Sequence, residues 1–152
     1  IVSYPLKELD CCPASDGACA VLLASEDKAK RITDNPAWIK GVGWSVEPYF
    51  LGDRDLIDVE ALKVAARKAY NMTGIKDPRK QIDVAEICAP YSFQELLWYE
   101  HLGLCGSGEG GKLVDAEVTE MNGALPVNPS GGMLSTNPYT ARGLICISEA
   151  AL

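Results

Sequence analysis

Residues 17–25 read Gly17-Ala18-Cys19-Ala20-Val21-Leu22-Leu23-Ala24-Ser25, an unbroken run of small and apolar side chains of strand length. Asp16-Gly17 at its head is a turn signal. A strand with no polar face suits a sheet covered on both sides, as in a layered α/β protein. Working outward, Ser25 is placed to cap a short helix starting at Glu26, which Asn35-Pro36 ends. Residues 38–46 (Trp-Ile-Lys-Gly-Val-Gly-Trp-Ser-Val) alternate as a second strand, with Gly41 and Gly43 permitting close backbone approach. Asp58 can cap a helix to about Tyr70 that sets Val59, Leu62, Ala66 and Ala69 on one face, and Gly74 lies just past its end. Residues 82–88 (Ile-Asp-Val-Ala-Glu-Ile-Cys) read as a buried strand. Ser92 and Glu95, three apart, have capping-box form at the start of a helix that runs to Gly103. The Gly-rich residues 105–112 lack the Lys-Ser/Thr ending of a phosphate-binding P-loop and read as a flexible surface loop. Residues 125–128 form a short strand, and Asn137-Pro138 opens a last helix with proline at its first position. The order is strand, helix, strand, helix, strand, helix, strand, loop, helix, and it predicts an α/β layered fold.

Composition narrows the function classes. The chain has 152 residues, 47% hydrophobic and 23% charged, which is the balance of one soluble globular domain and not of a disordered chain. Against 14 Lys and Arg stand 21 Asp and Glu, and the net charge of -7 with no basic run argues against nucleic acid as a partner. No apolar run approaches the ~20 residues that cross a bilayer, so no membrane role is expected. The opening Ile1-Val2-Ser3-Tyr4-Pro5 has neither the basic start nor the apolar stretch of a signal peptide, and the missing initiator Met points to a processed or trimmed chain. Six cysteines (Cys11, Cys12, Cys19, Cys88, Cys105, Cys146) show no C-x-x-C spacing, and His101 is the sole histidine. No metal site is therefore expected, and the thiols read as reduced, in a cytoplasmic protein.

Three segments together carry a family resemblance. Leu9-Asp10-Cys11-Cys12-Pro13 through Ser15-Asp16-Gly17-Ala18-Cys19-Ala20 is the first. Glu86-Ile87-Cys88-Ala89-Pro90-Tyr91-Ser92-Phe93-Gln94-Glu95-Leu96, followed by Tyr99-Glu100-His101-Leu102-Gly103-Leu104-Cys105, is the second. Val127-Asn128-Pro129-Ser130-Gly131-Gly132 is the third. In this order they resemble the thiolase superfamily, on its sterol-carrier-protein-type branch. The resemblance implies a layered thiolase-like fold, in which each half is a βαβαβαββ unit with helices on both sides of a mixed sheet. Residues 1–35 would be the end of the N-terminal half, and residues 36–152 the C-terminal half, truncated before its final strands. The nucleophilic cysteine of such an enzyme would lie upstream of Ile1 and a second cysteine downstream of Leu152, so the piece alone is expected to be inactive.

The resemblance also assigns site residues. Thioester chemistry at a cysteine needs donors where negative charge develops on oxygen. Aligned with the family's His-Pro, Asn137-Pro138 has an amide in place of imidazole and a loop one residue shorter. Asn137 then reads either as an oxyanion donor or as a plain helix cap. Cys88 falls where relatives carry His or Asn, and reads as a site residue or as a small buried hydrophobe. Tyr91 and Tyr139 flank the substrate position, either as proton-transfer groups or as packed aromatics. Ser130, Gly131 and Gly132 would bring bare backbone to an acyl-pantetheine chain, or make a simple tight turn. Arg142 is a candidate clamp for a substrate carboxylate, or else a solvated charge. Cys11, Cys12, Cys19, Cys105 and Cys146 read as packing residues, and His101 as structural.

The function implied is a thiolase-type acyl-CoA acyltransferase with modified donors, taking coenzyme A as substrate and no bound cofactor. The alternatives are a retro-aldolase-type carbon–carbon lyase using the tyrosines, or a non-catalytic thiolase-fold binding subunit. The expected partners are acyl-CoA and CoA, a homodimer made through the N-terminal half, and an OB-fold zinc-ribbon protein.

Overall fold

The computed structural model describes residues 1–152. Seven α-helices are joined by long extended segments: α1 Glu26–Ile32, α2 Glu60–Thr73, α3 Pro78–Gln81, α4 Ser92–His101, α5 Gly110–Asp115, α6 Gly132–Ser135 and α7 Arg142–Ala151. Short 3-10 turns occupy Glu8–Asp10, Leu51–Asp53 and Tyr139–Ala141. Strand pairing is reduced to three isolated bridges: Ser3 with Leu6 and Cys11 with Tyr91, both antiparallel, and Ala85 with Val127, parallel.

The four expected strands therefore run without ladders of their own. A strand is defined by its neighbour, and residues 17–25 and 38–46 have none here. Their apolar side chains face solvent instead: Leu22 is 98% exposed, Leu23 77% and Trp44 71%. The accessible surface is 10520 Å², whereas a compact protein of 16.3 kDa exposes about 7,500 Å². The excess is the size of a large obligate interface.

The core sits around α4. Tyr99, Leu104, Leu125 and Val127 form its centre, with Ile82, Ile87, Leu96, Leu113 and Val118 packed against them. Residues 85 and 126–128 make the one parallel contact inside it: the Ala85 amide donates to the Pro126 carbonyl at 3.0 Å, and the Asn128 amide donates to the Ala85 carbonyl at 2.7 Å. Asn128 adopts φ 52°, a left-handed conformation that asparagine tolerates. Its Oδ1 accepts from the Ile87 amide at 2.8 Å, and its Nδ2 donates to Glu95 Oε2 at 2.7 Å.

That last bond explains why the capping box does not form. Glu95 is occupied by Asn128 and by the Tyr99 hydroxyl, which donates to Oε1 at 2.5 Å. Ser92 is the first helical residue and donates instead to Asp10 Oδ1 at 2.9 Å, while Tyr91 takes the cap position. Asp58 likewise does not cap α2. Its carboxylate contacts Lys63 and, at 3.5 Å, His101. The Ala61 amide at the head of α2 finds Glu47 Oε1 at 2.7 Å. Gly74 closes that helix at φ 75°, as the sequence predicts.

Gly41 and Gly43 also behave as expected, because residues 38–46 lie directly on α2. A Cβ on Gly43 would stand 1.8 Å from the Ala65 carbonyl oxygen, and one on Gly41 2.6 Å from that of Ala69. The Gly-rich residues 105–112 are not a plain surface loop. Their second half starts α5, with Gly110 buried against the Leu96 backbone and its amide donating to Glu100 Oε1 at 3.1 Å. Pro138 does not open the last helix either. It caps the 3-10 turn Tyr139–Ala141, and α7 begins only at Arg142.

Candidate functional site

Two turns far apart along the chain meet through a third segment. The Cys12 amide donates to the Pro90 carbonyl at 2.8 Å, two residues past Cys88. The Cys12 thiol accepts from Asn137 Nδ2 at 3.3 Å. Ser15 completes the link: its Oγ accepts from the Asn137 amide at 2.9 Å, and its amide donates to the Asn137 carbonyl at 3.3 Å. Asn137 is 6% exposed, and its Oδ1 is buried with no hydrogen-bond partner. The helix-cap reading of Asn137 is thus not realised, since its side chain turns to Cys12 and Pro138 caps the turn that follows.

Cys88 is exposed and lies 3.5 Å, sulfur to sulfur, from the buried Cys146 on α7. Its carbonyl is held by Trp98 Nε1 at 2.8 Å. The buried-hydrophobe reading of Cys88 does not hold, whereas Cys146 is buried as its packing reading expects and faces Cys88. Arg142 precedes Cys146 by four residues, so both point the same way from α7. The Arg142 side chain is only 3% exposed, which corrects its solvated reading. Its Nη2 sits 3.6 Å from Glu86 Oε2, and its Nε and Nη2 make no hydrogen bond. Glu86 is 1% exposed and is held from the other side by Ser130, whose amide donates to Oε1 at 2.9 Å and whose hydroxyl donates to Oε2 at 2.7 Å.

The remaining candidates form a rim. Gly131 and Gly132 have φ 93° and 59°, conformations that need glycine, and their turn packs on Asn128 and Ser135. Tyr91 is 39% exposed and stacks on Phe93 with ring centroids 5.7 Å apart. Tyr139 is 70% exposed at φ 40°. No group of three or more His, Cys, Asp or Glu side chains comes together to hold a metal ion. No helix is long and apolar enough to cross a membrane.

Glu86, Cys12 and Cys146 were not legible as site residues. The i, i+4 spacing of Arg142 and Cys146 was the available signal for the last of them. All six cysteines are free thiols, and their surroundings separate them. The hydrogen bond from Cys146 pulls the Cys88 thiol down to about 6, helped by the Arg142 charge and opposed by desolvation and Glu86. Burial, with the charges of Glu100 and Glu109, pushes Cys105 up to about 11. At pH 7 the thiolate fractions of Cys88 and Cys105 then differ by about 10⁴, and the lower intrinsic nucleophilicity of the more acidic thiol returns roughly 10² of that. Iodoacetamide is expected to alkylate Cys88 on the order of 10²-fold faster than Cys105, read by peptide mass spectrometry. The Cys88 rate falls as pH drops through about 6. Equal rates would show that the pair does not poise the thiol.

The thiolase C-terminal domain-like family matches residues 45–152. The chain belongs to that thiolase family. It is 36% identical over 151 residues to acetyl-CoA acetyltransferase of Methanothermobacter thermautotrophicus, covering 98% of this chain and 39% of that protein. Sterol carrier protein 2 of Oryctolagus cuniculus is 36% identical over 151 residues, covering 95% of the chain and 27% of that protein. The benzoylsuccinyl-CoA thiolase subunit BbsB of Thauera aromatica is 33% identical over 152 residues, covering 99% and 39%. A chain of the solved Ltp2-ChsH2(DUF35) aldolase superposes with TM-score 0.78 at 24% identity, over 98% of this chain and 39% of its own. That likeness establishes the fold. The thiolase chain described here thus spans about two fifths of the acetyltransferase and about a quarter of the sterol carrier protein.

Proposed function

We propose that the chain is part of a thiolase-type acyl-CoA acyltransferase that cleaves or forms 3-oxoacyl-CoA through an acyl-cysteine supplied by a part of the polypeptide outside these residues. The observation that supports this reading is the meeting of the Asn137 and Cys88 turns across Cys12, remote segments drawn to one place as a shared reaction centre requires. Residues 1–35 would belong to the first half of the fold and residues 36–152 to the second. The bare apolar faces of residues 17–25 and 38–46 would be covered by the first half, whose strands would complete the layered α/β sheet. A cytoplasmic homodimer formed through that half, with CoA as substrate and no bound cofactor, follows from the same reading. In this scheme Asn137 supplies an amide donor to the thioester oxygen, and Ser130, Gly131 and Gly132 shape the channel for the acyl-pantetheine arm. Arg142 and Glu86 hold α7 and the Ser130 turn in register behind it.

The test uses the full-length protein, 3-oxoacyl-CoA and CoA. An acyl-cysteine trapped by mass spectrometry is expected, and Asn137→Ala should lower kcat/KM by about 10²–10³. Failure to acylate any cysteine overturns the reading.

A second reading has its own observation. Tyr139 is exposed at positive φ, two residues past Asn137, the amide that the resemblance aligns with the family's imidazole. A carbon–carbon lyase that moves protons through Tyr139 and Tyr91 would use that arrangement. Tyr139→Phe should then abolish cleavage, and unchanged activity would sink it. A third, non-catalytic role as a binding subunit predicts no turnover at all. The family resemblance makes an OB-fold zinc-ribbon protein a partner worth capturing with the full-length chain, and the relative BbsB is itself named a subunit.

A further inference from the structure

The Cys88–Cys146 pair has features that acyl transfer does not require. One sulfur is at the surface and the other is buried behind it, 3.5 Å away. The backbone of Cys88 is clamped by Trp98, and Ala89 next to it is buried, so the outer thiol does not drift from the inner one. Arg142, on the same face of α7 as Cys146, is buried with two guanidinium nitrogens that have no hydrogen-bond partner. A buried cation with free donors stabilises an anion beside it. The other thiols are engaged differently: Cys19 with the Ser148 hydroxyl at 3.1 Å, and Cys12 with Asn137.

We propose that Cys88 and Cys146 form a peroxide-reactive dithiol, in which Cys88 is oxidised by a hydroperoxide and Cys146 closes a disulfide onto it. The Cys88 thiolate attacks the terminal peroxide oxygen, an S–O bond forms and the O–O bond breaks. The alkoxide or hydroxide leaves and takes up a proton, so the sulfur loses two electrons and the hydroperoxide gains them. The Cys146 thiol then attacks the sulfenyl sulfur. The S–S bond forms, the S–O bond breaks, and the hydroxyl leaves as water with the Cys146 proton. In sum, two thiols and a hydroperoxide give a disulfide, an alcohol (water when the oxidant is hydrogen peroxide) and a water. The sulfurs must close from 3.5 Å to about 2.05 Å, a shift in the range of side-chain rotation. The disulfide would tie α7 to the end of residues 82–88 and remove Cys88 from the surface.

The inference does not rest on acyl transfer, and its test reads covalent state alone. Full-length protein is treated with hydrogen peroxide, and the remaining thiols are then alkylated. Trypsin releases Cys88 and Cys105 together within residues 81–112, where fragment ions tell the two apart, and Cys146 in the peptide that begins at Gly143. A linked pair of these peptides, lighter by two hydrogens and separated by dithiothreitol, is expected, with Cys88 consumed about tenfold or more faster than Cys105. Cys146→Ser should instead accumulate a dimedone-reactive sulfenic acid at Cys88, and Cys88→Ser should give neither product. Oxidation of Cys105 at the rate of Cys88, or loss of Cys88 in the unaltered protein without a link to Cys146, overturns the proposal.

Discussion

Glu86→Ala is expected to destabilise the full-length protein by about 3–5 kcal/mol, because it strands a buried guanidinium. The Glu86 and Arg142 side chains are 1% and 3% exposed, so water cannot take over from either partner. The carboxylate also accepts two bonds from Ser130, at 2.9 Å and 2.7 Å, and the alanine leaves both donors without it. Glu86→Gln retains one acceptor oxygen for Ser130 and should cost less, since the charge and one of the two acceptors are lost but the side chain still fills the site. The measurement is the urea midpoint at constant slope. Alkylation supplies an independent check, since Glu86 opposes the Cys88 thiolate. Removing it should move the pH midpoint of alkylation downward even as the protein weakens. A loss below about 1 kcal/mol would mean that Arg142 is already satisfied elsewhere.

Gly43→Ala is the second large effect. Its added methyl would stand 1.8 Å from the Ala65 carbonyl oxygen and 3.0 Å from the Ala69 amide nitrogen. Both belong to the backbone of α2, which cannot swing aside as a side chain does. Either residues 38–46 lift off the helix or α2 shifts as a body. Overpacking in a well-ordered contact costs about 1–3 kcal/mol, and a rigid opposing backbone puts this site at or above the upper end. Gly111→Ala is the control, since a Cβ there meets nothing within 4 Å. Thermal melts of the two variants should differ by several degrees or more. Equal melting would show that residues 38–46 do not rest on α2.

What the sequence revealed follows from how local each signal is. Helices α2 and α4 were legible because their apolar spacing and their stop signals at Gly74 and Gly103 lie within the same few turns. Close backbone approach at Gly41 and Gly43 is legible in the glycine pair of an alternating run, but that α2 is the neighbour is not. Caps were misread where a distant group outcompeted a near one. Glu95 serves Asn128, 33 residues on, and Asp58 serves Lys63 and His101. Nothing in the spacing signals the meeting of the Cys88 and Asn137 turns; only the family resemblance makes both of them candidates for one site. Cys12, Glu86 and Cys146 stayed hidden because their importance lies in contacts 44 to 125 residues apart. Strands were the least legible element, because apolar alternation specifies a face and leaves the neighbour unspecified.

The bare ribbon of residues 17–25 and 38–46 has a thermal consequence. Melting a finished domain of this length absorbs extra heat with each degree, roughly 2 kcal/mol/K, because wetting oily groups raises heat capacity. Here the folded chain already exposes 10520 Å², so roughly a fifth of the wetting that a compact domain undergoes on melting has already happened. The missing increment would reappear, with negative sign, when the ribbon is covered. Calorimetry of that association would therefore weigh the two hidden faces without any need to see them.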